Sequence, residues 1–173
     1  VKSKTVTRVA LIAAVYVVIT LIAHPISYGP VQMRVSEALT LLPYFMGYPA
    51  AIGLFLGVMI ANIFGGLGLI DIIFGSLITL AAAVFTARAR SIFTAGIYPV
   101  VFNALGVGLI LYFVVGLRPA DPLMDPEVSR FTYFVINYLA HVLFVGLGQI
   151  GAVYAVGIPL MKFLDRKVDL ENL

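Results

Sequence analysis

The chain has 173 residues, of which 62% are hydrophobic and 11% charged, with a net charge of +3 and a mean hydropathy of +1.09. Soluble domains carry about 45–50% apolar and about 25% charged residues, so the composition reads as an integral membrane protein and gives no footing for a nucleic-acid-binding domain. Cysteine is absent, which excludes disulfides, thiolate metal sites and cysteine nucleophiles.

Lys2, Lys4 and Arg8 precede an apolar run and superficially resemble the start of a signal peptide. The run ends in His24-Pro25 with no small-residue cleavage site, so a first spanning helix is expected over 6–24, stopped by Pro25. Between Tyr28 and Glu37 lies a polar stretch containing Gln32, Arg34 and Glu37, a cation and an anion three residues apart between apolar segments. A charge at membrane depth costs a few kcal/mol even on the mildest insertion scale. Such a cluster is either a water-facing loop with a weak ion pair or the wall of a polar cavity.

The stretch 36–64 is broken by Gly47-Tyr48-Pro49 and divides into a short helix at 36–46 and another at 50–64. Ser36 is the expected N-cap of the former, with Glu37 in its first turn. After Gly65-Gly66-Leu67-Gly68, Asp71 is expected to open a fourth helix running to Arg88, and Ser91 to cap a fifth running to Gly116. Asp125-Pro126-Glu127 has the pattern of an N-cap, a first-turn proline and an acidic first turn, predicting a sixth helix to Leu164.

With six spans, Lys2, Lys4, Arg8, Arg88, Arg90, Lys162, Arg166 and Lys167 share one side, against Arg34, Arg118 and Arg130 on the other. Basic residues concentrate on the cytoplasmic side. The expectation is therefore a single all-α membrane domain over 1–173, a six-helix bundle with both termini cytoplasmic. Gly53, Gly57, Ala61 and Gly65 form a small-residue stripe on the third helix, and Ala10 and Ala14 a second on the first. Such stripes serve internal packing or the docking of another membrane protein.

Polar groups inside the expected spans are few: Asn62, Asn103, Asn137, His141 and Gln149, with Tyr138 beside Asn137. Singly, each is explained by interhelical hydrogen bonding, and no second histidine accompanies His141 as a metal ligand. Taken with Gln32, Arg34, Glu37 and Asp71, they make a set suited to a planar, hydrogen-bonding ligand rather than a bare ion. Phosphate-loop, zinc-protease and serine-hydrolase motifs are absent, so no enzyme is expected. No internal repeat of the secondary-transporter kind is evident.

Two runs carry a resemblance: Val31-Gln32-Met33-Arg34-Val35-Ser36-Glu37-Ala38-Leu39 with Leu42-Pro43, and 61–77, from Ala61-Asn62-Ile63-Phe64 through Asp71 to Ser76-Leu77. They resemble the signature of the QueT family, substrate-binding membrane subunits (S components) of energy-coupling factor transporters. The resemblance extends to Gly157-Ile158-Pro159-Leu160. It implies the six-helix S-component fold, a prokaryotic multi-pass cell-membrane location and a queuosine precursor of the 7-deazaguanine type as substrate. It also implies a coupling membrane subunit and two cytoplasmic ATPases as partners, with no cofactor or metal in this chain. Ala10 and Ala14 match the A-x-x-x-A docking motif of that family. At one position the chain departs: Gly146-Leu147-Gly148-Gln149 has an amide where the family pattern has a carboxylate. Two alternatives stand beside this reading: the same scaffold binding another vitamin such as cobalamin, and a stand-alone channel or secondary carrier.

Overall fold

The computed structural model describes residues 2–23, 34–115, 129–168 and 170, and among these every regular element is a helix. Helix α1 spans Lys2–Ile22. A tight 3-10 stretch, Val35–Leu41, leads into α2, Leu42–Met46, and then α3, Tyr48–Phe64. A wide π-helical turn, Asp71–Gly75, continues into α4, Ser76–Thr86, followed by α5, Ile92–Val114. Helix α6, Arg130–Ile150, passes through a second π segment, Gly151–Gly157, into α7, Ile158–Val168. With contiguous pieces joined, the described residues form six rods, the number expected.

Three rods are long and apolar enough to cross a membrane: Ser3–Ile22, Ile92–Val114 and Arg130–Val168. Tyr48–Phe64 and Asp71–Thr86 are apolar but shorter; at about 1.5 Å per residue the former reaches roughly 25 Å, against a hydrocarbon core of about 30 Å. The surface is apolar: Leu11, Val18, Ile63, Phe74, Phe113, Ile136 and Leu143 are exposed. Glu37, Asn62, Asp71 and Asn103 are buried. Large apolar side chains outside and ionisable ones inside are the arrangement of a protein whose solvent is lipid.

Boundaries differ from expectation where a side chain found other work. Gly47 breaks 35–64 with φ 65°, a left-handed conformation that glycine adopts without steric penalty, and Pro49 then sits in the first turn of α3. Ser91 caps α5 by accepting from the Thr94 amide at 3.2 Å, as expected. Ser36 does not cap: it is buried, and its hydroxyl pairs with Thr20 of α1 at 2.6 Å. Asp71 is likewise no cap, because Ile70 before it is already helical and the carboxyl group turns inward. Helix α6 starts at Arg130 with Ser129 as its cap; Asp125, Pro126 and Glu127 lie outside the described residues. The sixth rod runs on past the expected Leu164 to Val168, with the π segment within it.

The small-residue stripe of α3 packs internally. A Cβ on Gly53 would lie 2.9 Å from Ile12 Cβ and from the Val9 carbonyl oxygen, and one on Gly57 would lie 3.0 Å from Tyr16 Cβ. The order of these contacts makes α1 and α3 parallel, so the start of α1 lies at the Tyr48 end. Arg88 donates to the Tyr48 hydroxyl at 2.9 Å, and Lys162 sits 5.2 Å from the centre of the Phe93 ring. Basic residues therefore gather at one end of the bundle, while Arg34, Asn62 and Asp71 lie toward the other. Ala10 and Ala14 stay exposed on α1, on the side away from α3.

Pro99, buried inside α5, cannot donate to the Ala95 carbonyl one turn earlier. Thr86 of α4 donates to that carbonyl at 3.2 Å, tying α4 to α5. The packing predicts that Gly53→Leu destabilises by roughly 1–3 kcal/mol through overpacking, lowering the melting temperature in detergent by circular dichroism. Ala14→Leu, on the open face, should leave it unchanged.

Candidate functional site

Six elements converge on one buried cavity. It is lined by Arg34 ahead of the 3-10 stretch, Glu37 within it, Val58 and Asn62 of α3, Asp71 and Gly75 of the first π turn, Thr79 of α4, Asn103 and Val107 of α5, and Val145 and Gln149 of α6. None of its charged or amide residues is more than 8% exposed. Its free volume is about 20 Å3, room for roughly one water.

Two hydrogen-bonded units build the walls. In the first, Arg34 Nη1 donates to Asn62 Oδ1 at 2.8 Å, and Asn62 Nδ2 donates to the Asp71 backbone carbonyl at 3.0 Å. Arg34 Nη2 stands 3.8 Å from Asp71 Oδ2, an ion pair longer than a hydrogen bond. In the second, Glu37 Oε1 accepts from the Tyr16 hydroxyl and Oε2 accepts from Asn103 Nδ2 at 3.1 Å. Both carboxylate oxygens thus have protein donors, which offsets much of the cost of burying the group.

Local backbone choices aim these groups. The 3-10 stretch is buried from Ser36 to Leu41 because Gly157 admits it: a Cβ there would lie 3.1 Å from Ala38 Cα. The π turn at Asp71–Gly75 inserts a wide loop of backbone at the cavity, a distortion that recurs at functional sites. Its Gly75 is required for space, since a Cβ would meet Asp71 Oδ1 at 2.6 Å and Asn62 Nδ2 at 3.0 Å.

Not every polar atom is spent. Asp71 Oδ2, Asn103 Oδ1 and Gln149 Oε1 are buried acceptors with no hydrogen-bond donor. Each such group costs about 1–3 kcal/mol if it stays unmet, so three around one cavity point to an outside donor.

Arg34, Glu37, Asn62, Asp71, Asn103 and Gln149 are thus brought together from positions scattered over more than a hundred residues. Three others are not among the lining residues. Asn137 donates back to the Tyr133 carbonyl of its own helix at 3.0 Å, Tyr138 donates to the Leu105 carbonyl at 3.2 Å, and His141 is half-buried elsewhere on α6. Asn137 and His141 do sit one turn apart on α6, but neither lines the cavity. Gln32 lies outside the described residues. Sequence reasoning passed over Tyr16, Gly75 and Thr79. Tyr16 did carry a signal: it is a polar aromatic in mid-span, one turn from Thr20, and both reach the segment that holds Glu37.

Glu37 and its donors predict coupled effects. Tyr16→Phe and Glu37→Gln should each lower stability, and the double variant should fall short of their sum by about 0.5–3 kcal/mol. Denaturation in mixed micelles measures this, and strict additivity would contradict the hydrogen bond.

A family model described as QueT transporter matches residues 6–166. The chain is 41% identical over 83 residues to the Queuosine precursor transporter QueT of Lactococcus lactis subsp. cremoris (strain MG1363). That alignment covers 46% of this chain and 48% of the relative, so it spans about half the length of each. No solved structure matches. With the family's pattern running through every described rod, the chain belongs to the QueT transporter family.

Proposed function

We propose that the chain is the substrate-capture membrane subunit of an energy-coupling factor importer for a queuosine precursor of the 7-deazaguanine type. It would be a single membrane domain over 1–173, multi-pass in a prokaryotic cell membrane, with both termini cytoplasmic. The observation that carries this reading is the buried cavity of Arg34, Glu37, Asn62, Asp71, Asn103 and Gln149. Amides, a guanidinium and carboxylates in an otherwise apolar bundle match the edges of a flat, donor-rich base. The name of the Lactococcus lactis relative supports the same substrate class.

In this assignment Asn103 Oδ1 and Gln149 Oε1 accept from the ring N–H and exocyclic amine, and Arg34 and Asn62 meet the carbonyl. A bicyclic base exceeds a free volume of about 20 Å3, so binding requires the walls to part, with the closed form shown here as one end of the motion. A small closed site favours the flat base over a corrinoid, which needs a wide mouth. The ligand undergoes no chemistry; release inside would draw on two cytoplasmic ATPases through a coupling membrane subunit. The exposed Ala10 and Ala14 face of α1 supports a docking role for that helix, and the basic end of the bundle supports a cytoplasmic placement of the termini.

Two outcomes test the assignment. Asn103→Ala should weaken 7-deazaguanine binding to the purified chain at least tenfold, about 1.4 kcal/mol, while Gln149→Glu should strengthen it; unchanged affinity in both would remove the cavity from recognition. Ala10→Trp and Ala14→Trp should leave that binding intact and abolish uptake by the assembled transporter. Lost binding in either would make the α1 face a part of the bundle's own packing.

A further inference from the structure

Away from the cavity, a groove with a free volume of about 340 Å3 lies between the opening turns of α1 and Met46 at the end of α2. That volume falls within the range of ligand clefts, about 300–1,000 Å3. Its lining changes character along the helix. Lys4 and Arg8 line one end, Leu11 and Ile12 the other. At about 1.5 Å per residue, Lys4 and Ile12 stand roughly 12 Å apart along α1.

The two cations have no protein counter-ion. No carboxylate is among the groove's described lining residues, α1 carries no acid along its length, and neither Lys4 nor Arg8 forms an ion pair among the described residues. Arg8 Nε is buried without a hydrogen-bond partner, a costly state for a donor and more so for a charged one. Other basic residues at this end of the bundle are occupied: Arg88 donates to the Tyr48 hydroxyl, and Lys162 lies over the Phe93 ring. A second groove, of about 310 Å3, is walled by Phe74, Ile78, Leu109 and Phe113 and carries no charge. Any lipid tail fills that one equally well. The α1 groove asks for an acceptor with negative charge at one end and hydrocarbon at the other.

We propose that the α1 groove binds one anionic phospholipid, its phosphate held by Lys4 and Arg8 and the start of an acyl chain lying along Leu11, Ile12 and Met46. Charge and depth both select this occupant. Lys4 and Arg8 stand at the basic end of the bundle, and Leu11 and Ile12 lie farther into the apolar run of α1. A lipid presents headgroup and chain in that same order. The guanidinium of Arg8 offers a planar fork of N–H donors that matches phosphate oxygens, with Nε among them. Basic side chains flanking a spanning segment attract anionic lipids, and the apolar part of the groove adds a reason to hold a lipid rather than a free anion.

The test is native mass spectrometry of the full chain, reconstituted in vesicles of equal phosphatidylglycerol and phosphatidylcholine and released in mild detergent. One phosphatidylglycerol should stay bound, preferred over phosphatidylcholine at least roughly tenfold. Lys4→Gln and Arg8→Gln should each cut that preference at least about threefold. Lys162→Gln removes a charge from the same end of the bundle but outside the groove, and should leave the preference unchanged. Should Arg8→Gln not fold by circular dichroism, Lys4→Gln decides alone, since Lys4 is exposed. Equal retention of the two lipids overturns the inference, as does a preference that survives intact in the folded groove variants. An equal loss in Lys162→Gln overturns it too, because the preference would then belong to the net charge of that end and not to the groove. Displacement of the bound lipid by excess inorganic phosphate overturns the phospholipid as occupant and leaves a simple anion site.

Discussion

A buried carboxylate organises this bundle. Glu37 sits at 2% exposure in a chain whose outer surface is hydrocarbon-like, where an ion left without partners costs several kcal/mol. Its two oxygens draw in the Tyr16 hydroxyl from α1 and the Asn103 amide from α5. Those two bonds tie together three pieces of chain that apolar packing alone would leave free to slide, since lipid and neighbouring helices are equally apolar partners. They also fix which way the Asn103 amide faces, and hence which atom it shows the cavity. The buried 3-10 stretch, the glycine contact at Gly157 and the Thr20–Ser36 hydroxyl pair all serve to hold Glu37 at that depth.

The same constraint separates structural from functional polarity. Tyr16, Thr20, Ser36 and Thr86 satisfy groups of the protein itself. Asp71, Asn103 and Gln149 retain acceptor oxygens that no hydrogen bond within the described chain meets. Membrane interiors tolerate such atoms poorly, so their convergence on one small cavity distinguishes it from the apolar grooves on the outer surface. Two π segments border the lining residues in sequence, one contributing Asp71 and Gly75 and the other following Gln149 directly. The first supplies backbone that departs from a straight helix where the site needs Asp71 aimed inward.

Much of this was legible in the residues. The break at Gly47, the cap at Ser91, the interior role of Arg34, Glu37, Asn62 and Asp71, and the small stripe on α3 follow from local chemistry and from the cost of charge in lipid. What local chemistry misassigned was decided by partners far along the chain. Ser36 and Asp71 have the form of helix caps, yet their side chains turn inward, toward Thr20 in one case and the cavity in the other. Asn137 and His141 share a helix face, but at about 1.5 Å per residue they lie roughly 18 and 12 Å along α6 from Gln149, and neither they nor Tyr138 are among the lining residues. Helical periodicity finds the face; only the neighbouring helix decides what that face meets. Tyr16 and Gly75 escaped notice for the opposite reason: a tyrosine in an aliphatic run and a glycine in a helix are unremarkable until Glu37 and Asp71 are placed beside them.

The central claim is that ligand sits in this cavity and that its walls part to admit it. The most direct measurement is a structure of the purified chain determined with a 7-deazaguanine bound. The account predicts the base between Asp71, Asn103 and Gln149, with the Arg34–Asp71 contact opened and the Tyr16–Glu37–Asn103 unit unchanged. A ligand bound elsewhere on the bundle, with the cavity still closed at about 20 Å3, would contradict it.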